Sequence, residues 1–277
     1  METAFPKTDA EYFAHPYISN SDLKLINRSI NHFLWNKQHP ERTSAMIFGS
    51  AFHCYILEPD KFYDRFVVNP FDSKRTNAYK DWVYEVGDMD IITKDDMEKL
   101  IGMKQALLEN PEVRTLLNID EGFNFQGQYE VEKVHLFKFM GLGCKCKTDY
   151  ESTQRDLIVD LKTCQDVAES DDVEKIIIDY EYYQQSVFYQ IGYAMSHKRT
   201  EQPMFFFIFI EKEPPYGIRI KYCDKEFERI GLSRIKMGLS KWKHYLDNRD
   251  RKSEYWGYNP SPSTALCPNW FKMKNTY

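Results

Sequence analysis

The chain has 277 residues, 42% hydrophobic and 29% charged, an ordinary soluble composition with apolar material for a sizeable core. Lys and Arg number 37 against 42 Asp and Glu, and the net charge of −5 excludes a polybasic protein without excluding a local basic surface for phosphate. The longest apolar run, Met204 to Ile210, is far short of the roughly 20 residues that span a bilayer, and the start Met-Glu-Thr-Ala-Phe-Pro lacks the features of a secretory signal. Membrane, secreted and disordered classes are set aside, and a cytoplasmic location is expected.

The first third reads helical. Ser19 or Ser21 can cap a helix in which Leu23, Ile26 and Ile30 fall at helical spacing. A second helix is predicted from about Ala45 through Leu57, ending before Pro59 because the residue ahead of proline is pushed out of the helical region. Thr93-Lys-Asp-Asp-Met-Glu opens a third, which Pro111 closes. From Tyr129 to Tyr150 the period changes to two, with a break at Met140-Gly141, the pattern of a hairpin. Asp156-Leu-Ile-Val-Asp-Leu-Lys reads as a half-buried strand, and helical spacing returns from about Asp179 to His197. Met204 to Ile210 reads as a strand buried on both faces. Pro214-Pro215-Tyr216-Gly217 turns it into a strand over Ile218 to Cys223, and a long helix follows from about Lys225 to Asn248. The order predicts an α/β fold with a mixed sheet flanked by helices.

Six cysteines form no C-x-x-C pair, and Cys144-x-Cys146 lies on a strand face where packing is the simpler role. Free thiols in a reducing compartment are expected.

The sharpest constellation is Asp149 followed, after ten residues, by Asp160-Leu161-Lys162. Alternation puts Asp160 and Lys162 on one side of a strand and Leu161 in the core. A second acid arriving from the hairpin would complete oxygen ligation for a hard cation such as Mg²⁺, with the lysine placed to offset charge on a phosphate. Taken alone, such a pair is also a common solvated surface feature. Glu130 and Glu132 share a face on an alternating strand, so spacing does not choose between them, and Glu132 is the preferred candidate. Gln185 and Tyr189 lie one helical turn apart, with Gly192 a turn further, where a small residue would let backbone or DNA approach; a polar-edged packing face is the plain alternative. His53, in an otherwise apolar helix, reads as a core histidine or a ligand.

Taken together, Asp149, Asp160-x-Lys162 and Gln185-x-x-x-Tyr189 resemble the PD-(D/E)XK nuclease superfamily. The likeness is to its recombination-exonuclease branch, which holds the catalytic domain of exodeoxyribonuclease VIII (RecE) and related phage exonucleases. Supporting segments are Tyr17-Ile-Ser-Asn-Ser-Asp-Leu, Phe48-Gly-Ser-Ala-Phe-His-Cys-Tyr-Ile-Leu-Glu-Pro, Cys144-Lys-Cys-Lys-Thr-Asp, Phe209-Ile-Glu-Lys-Glu-Pro-Pro-Tyr, and Trp256-Gly-Tyr258 with Pro268-Asn-Trp270. The resemblance implies one nuclease domain over 1–277, with a helical part at about 17–115, a catalytic sheet core at about 125–223 and a C-terminal helix and tail over 225–277. It implies that His53, the upstream glutamate, Asp149, Asp160 and the Leu161 carbonyl bind Mg²⁺ (Mn²⁺ substituting). Lys162 would be the catalytic lysine, Gln185 and Tyr189 the family's motif, and Ser21 a holder of a terminal phosphate. Thr148 stands where the name-giving motif has proline. Lys145 and Lys147, on the strand face of Asp149, are candidates for basic DNA-binding surface. The implied activity is 5′ to 3′ degradation of linear duplex DNA, leaving 3′ single strands for a strand-annealing protein; the alternatives are a nuclease of other polarity or of single-strand or endonuclease specificity, and a non-catalytic DNA-binding member. A ring of three or four protomers is expected, with Tyr12, Phe13 and Tyr17 at one end of the chain and Tyr255, Trp256 and Trp270 at the other as interface material.

Overall fold

Capping chemistry places the N-terminal helices in the computed structural model, which describes residues 5–165, 170–250, 256–257, 262 and 264–267. These helices are α1 (Asp9–Ala14), α2 (Asn20–Arg28), α3 (Ile30–Gln38), α4 (Ser44–Leu57), the short α5 (Phe62–Arg65), α6 (Asn77–Val86), α7 (Lys94–Glu109) and α8 (Pro111–Leu117). Ser19, not Ser21, caps α2 and exchanges hydrogen bonds with Asp22. Ile30 does not continue that helix: Ser29 is fully extended and caps α3 instead. Thr93 and Asp96 form the same reciprocal box on α7. Pro111 ends α7 and also begins α8, since the N–H it lacks would be unpaired there anyway, and Asn110 supplies the cap. Strands β1 (Phe66–Val68) and β2 (Asp90–Ile92) pair in parallel beside α4.

The sheet follows, with β3 (Glu130–Phe139), β4 (Leu142–Ser152), β5 (Leu157–Cys164), β6 (Met204–Glu211) and β7 (Ile218–Lys221) hydrogen-bonded in that order. All neighbours are antiparallel except β5 and β6. Their parallel crossover carries α9 (Ser170–Asp179) and α10 (Tyr182–Ser196), and α11 (Lys225–Asn248) ends the fold. The chain thus adopts the expected α/β architecture. The helix expected from Asp179 to His197 is broken where Glu181 takes a left-handed φ of 52°. β5 is buried on both faces rather than half-buried. Leu157, Val159 and Leu161 join Phe52 and Leu107, while Ile158 joins Tyr193 and Phe207 on the side of α9 and α10.

Gly192 does not leave room for DNA. It presses α10 onto the hairpin, and a Cβ there would sit 2.6 Å from Cys146 Sγ and 2.9 Å from the Phe137 ring. Cys144 and Cys146 are free thiols packed in that same layer. Among the aromatics expected at an interface, Tyr12 is buried and Trp256 packs edge-on against Tyr245 at 5.0 Å. Tyr17 covers Gly143, and Phe13 is 69% exposed. Tyr255, Tyr258 and Pro268-Asn-Trp270 lie outside the described residues. No helix among the described residues is long and apolar enough to cross a membrane.

Candidate active site

The site sits where one ladder stops and its neighbour skips a rung. β4 pairs with β5 from Ser152↔Leu157 to Tyr150↔Val159, and the next rung, Asp149 to Asp160, is missing. The β3–β4 ladder skips the same position, so that Val131 and Lys133 pair across but Glu132 does not. Glu132 has a φ of 49°, unusual for a residue with a side chain, and the alternation of side chains breaks there. Consecutive residues Asp149 and Tyr150 therefore both reach toward α4: Asp149 meets His53, and Tyr150 enters the cluster containing Phe52. A backbone N–H freed inside a protein must find a partner. Asp149 Oδ2 accepts the orphaned Leu161 N–H at 2.8 Å. Beyond the gap the edge of β4 is taken by the N-terminal segment, where Ile18 donates to the Gly143 carbonyl at 3.0 Å and accepts from Lys145 N at 2.9 Å.

Into this gap the chain brings carboxylates, an imidazole and an ammonium. His53 Nδ1 lies 3.4 Å from Asp149 Oδ1 and 3.7 Å from Glu132 Oε1, and its Nε2 is 3.0 Å from the Leu161 carbonyl. Asp160 is 1% exposed, takes a 2.6 Å hydrogen bond from Gln185 Nε2 on Oδ1, and pairs with the Lys162 ammonium through Oδ2. The Lys162 Nζ also rests 4.9 Å from the centre of the Tyr182 ring. Burial and the neighbouring Asp149 charge push the Asp160 carboxyl up to about 6, against the pull of Lys162. Burial would raise Asp149 too, but His53 holds it below the usual carboxylate range. Burial opposes the charge on His53, yet Asp149 and Glu132 lift its imidazole to about 10. Lys162 stays charged because Asp160 overcomes its burial. Without an ion, a protonated His53 supplies the positive charge that these acids require, and it must release that proton to serve as a ligand. The donor set, with its oxygens, one imidazole and no thiolate, fits a hard divalent cation.

The structure brings His53, Glu132, Asp149, Asp160, Leu161, Lys162 and Gln185 together. Glu130 is excluded: it turns away to pair with Lys133. Tyr189 lies one turn beyond Gln185, and burial, Tyr12 and the Asp160 carboxylate hold its phenol well above its usual range, as a neutral hydroxyl. Ser21 is exposed on the first turn of α2, its Oγ 2.9 Å from Ser19 Oγ. Lys145 is not DNA-binding surface. It is 2% exposed, and its Nζ donates to the Tyr12 and His15 carbonyls at 2.5 and 2.8 Å, holding the end of α1. Lys147 is committed as well, to Asp9 at 2.8 Å and to Glu132. Sequence reasoning missed Lys24 and Tyr182. Lys24 donates to the Tyr180 carbonyl and lies 5.4 Å from the centre of the Tyr182 ring; burial and Lys162 bring it down to about 8 against the pull of Glu181 and Asp160. Its i,i+3 spacing from Ser21 was the available signal.

Among the curated proteins, none matches the chain. A crystal structure from Eubacterium rectale named "Putative exonuclease" is similar over 99% of this chain and 100% of that one, with a TM-score of 0.63 and 13% identity. A second solved structure, SSO0001, covers 82% of this chain and 81% of its own at a TM-score of 0.35 and 12% identity, too distant to bear on the fold. The family model for the PDDEXK-like domain of unknown function, DUF3799, matches residues 19–257, and the chain belongs to that family.

Proposed function

We propose that the chain is a divalent-metal-dependent deoxyribonuclease. It acts on the ends of linear duplex DNA, running 5′ to 3′ and leaving 3′ single strands for strand-annealing recombination of the phage type. The observation that carries the nuclease reading is the convergence of Glu132, Asp149, Asp160 and Lys162 at one interrupted rung of a sheet. Membership of a PDDEXK-like family supports it, and the Eubacterium rectale neighbour bears the name of an exonuclease. Polarity, duplex preference, the annealing partner and a ring assembly rest on the resemblance of the sequence motifs to recombination exonucleases.

His53, Glu132, Asp149, Asp160 and the Leu161 carbonyl are the groups that would hold Mg²⁺, with Mn²⁺ as a substitute. An ion held there would supply a water of lowered pKa and screening for the charge of the attacked phosphate. Lys162, fixed between Asp160 and the Tyr182 ring, offsets the charge that grows on the phosphate in the transition state. Gln185 orients Asp160 through one oxygen and leaves the other to Lys162. Tyr189, Ser21 and Lys24 offer hydroxyls and a cation for flanking phosphates.

The deciding assay compares linear duplex labelled at the 5′ end, linear duplex labelled at the 3′ end, and closed circles, each with Mg²⁺ and with excess chelator. Early release of the 5′ label, survival of circles and silence in chelator are expected. Full activity in chelator would overturn the metal-dependent reading, and equal attack on circles would overturn the exonuclease one.

A further inference from the structure

A second convergence of ligand-type side chains lies on the α10 side of the same hairpin. His135 from β3, Glu151 from β4 and His197 at the C-cap of α10 bring one ligand atom each within 4.8 Å of one another. Both imidazoles aim Nε2 at the same carboxylate: His135 reaches Glu151 Oε2 at 2.7 Å and His197 reaches Oε1 at 2.9 Å. Glu151 is fully buried and His135 is 1% exposed. His135 Nδ1 meets no partner, so the ring is held by what its Nε2 faces. Thr148 Oγ1 donates to Glu151 Oε2 at 2.7 Å and fixes the carboxylate from behind.

Charge makes this arrangement informative. The Glu151 carboxylate is sealed from solvent, with His135 and Thr148 on Oε2 and His197 on Oε1. Among the described residues no lysine or arginine pairs with it. A buried carboxylate faced by two imidazoles and a hydroxyl calls for a cation or a proton to neutralise it. Two imidazoles and a carboxylate are borderline ligands of the kind zinc prefers, and a buried hydroxyl behind the carboxylate is the usual outer support. His197 is 21% exposed at the side chain, which leaves a path for loading.

We propose that His135, Glu151 and His197 form a second metal site, selective for Zn²⁺, which ties the end of α10 to the β3–β4 hairpin. It is separate from the carboxylate-rich gap and does not depend on the nuclease reading.

The test takes the full chain, stripped of metal by chelator and returned to buffer containing excess Mg²⁺, which occupies the oxygen-rich gap. Co²⁺ is titrated and followed by its visible absorption, then displaced with Zn²⁺. One equivalent of Co²⁺ is expected, retained in His53→Gln and weakened on the order of a hundredfold in His197→Gln. Thr148→Val, which keeps the side-chain shape, should weaken binding roughly tenfold. His197 lies at a partly exposed helix end, so its variant tests the ligand without emptying the core. Failure of the parent chain to take up Co²⁺ overturns the proposal. So does uptake that His53→Gln abolishes and His197→Gln leaves intact, because the ion would then belong to the gap.

Discussion

The two aspartates of the gap are pushed in opposite directions, and that split sets the pH range of the site. Asp160 keeps its proton up to about 6, and the protonated acid is a poor ligand. Apparent Mg²⁺ affinity and cleavage should both decline as pH falls through about 6, and a titration of rate against Mg²⁺ at several pH values measures this. Gln185→Glu sets a third carboxylate where the amide now lies 2.6 Å from Asp160, so the acid limb should move to higher pH. An unmoved limb would detach Gln185 from Asp160. Lys162→Ala should leave DNA affinity within about threefold while cleavage drops roughly a hundred- to a thousandfold, because the lysine acts on transition-state charge. Gel shift and single-turnover assays separate the two effects. At this scale the motif was readable because strand alternation links Asp160 to Lys162. The choice between Glu130 and Glu132 was not, because a left-handed residue at 132 breaks that alternation. Nor was the burial of Lys145, whose partners are carbonyls some 130 positions earlier in the chain.

Helix α11 lies against α10 closely enough that Gly231 has no room for a side chain: a Cβ there would be 2.5 Å from the Tyr183 carbonyl oxygen. A backbone atom cannot swing aside as a side chain can. Gly231→Ala gains about 1 kcal/mol of helix propensity but forces the two helices apart, at a cost of roughly 1–3 kcal/mol. A lower melting temperature is expected, and an unchanged one would mean that α11 shifts freely. Elements with their own local signals were legible: α4 with a proline beyond its end, α7 with its capping box, and α11 from Lys225 to Asn248. Those that depend on distant partners were not. β1 and β2 are three residues each and exist only as a parallel pair. The break between α9 and α10 rests on Glu181 in a conformation that its residue type does not announce.

For the whole molecule, a net charge of −5 gives little general attraction to DNA, and local phosphate contacts weaken with salt. Resection over long distances would then depend on enclosure rather than affinity, which is the argument for a cyclic assembly of three or four copies. Tyr12 and Trp256 are used within the protomer, and among the described residues of that set Phe13, 69% exposed, is the most open to a neighbour. Light scattering should show a trimer or tetramer that Phe13→Ser weakens. A strict monomer that still degrades kilobases without release would refute the ring.

The missing rung at Asp149 bears on inheritance as well as on chemistry. One oxygen of Asp149 replaces a backbone hydrogen-bond partner for Leu161, a task that persists whether or not the site turns over. A descendant that had lost catalysis would still be selected to keep that aspartate. Lys162 and Glu132 carry no such duty to the backbone, and they would be the first to drift. Retention of the aspartate in a relative therefore says little about activity, whereas, on the proposed roles, the pair at positions 162 and 132 would tell a working copy from a relic.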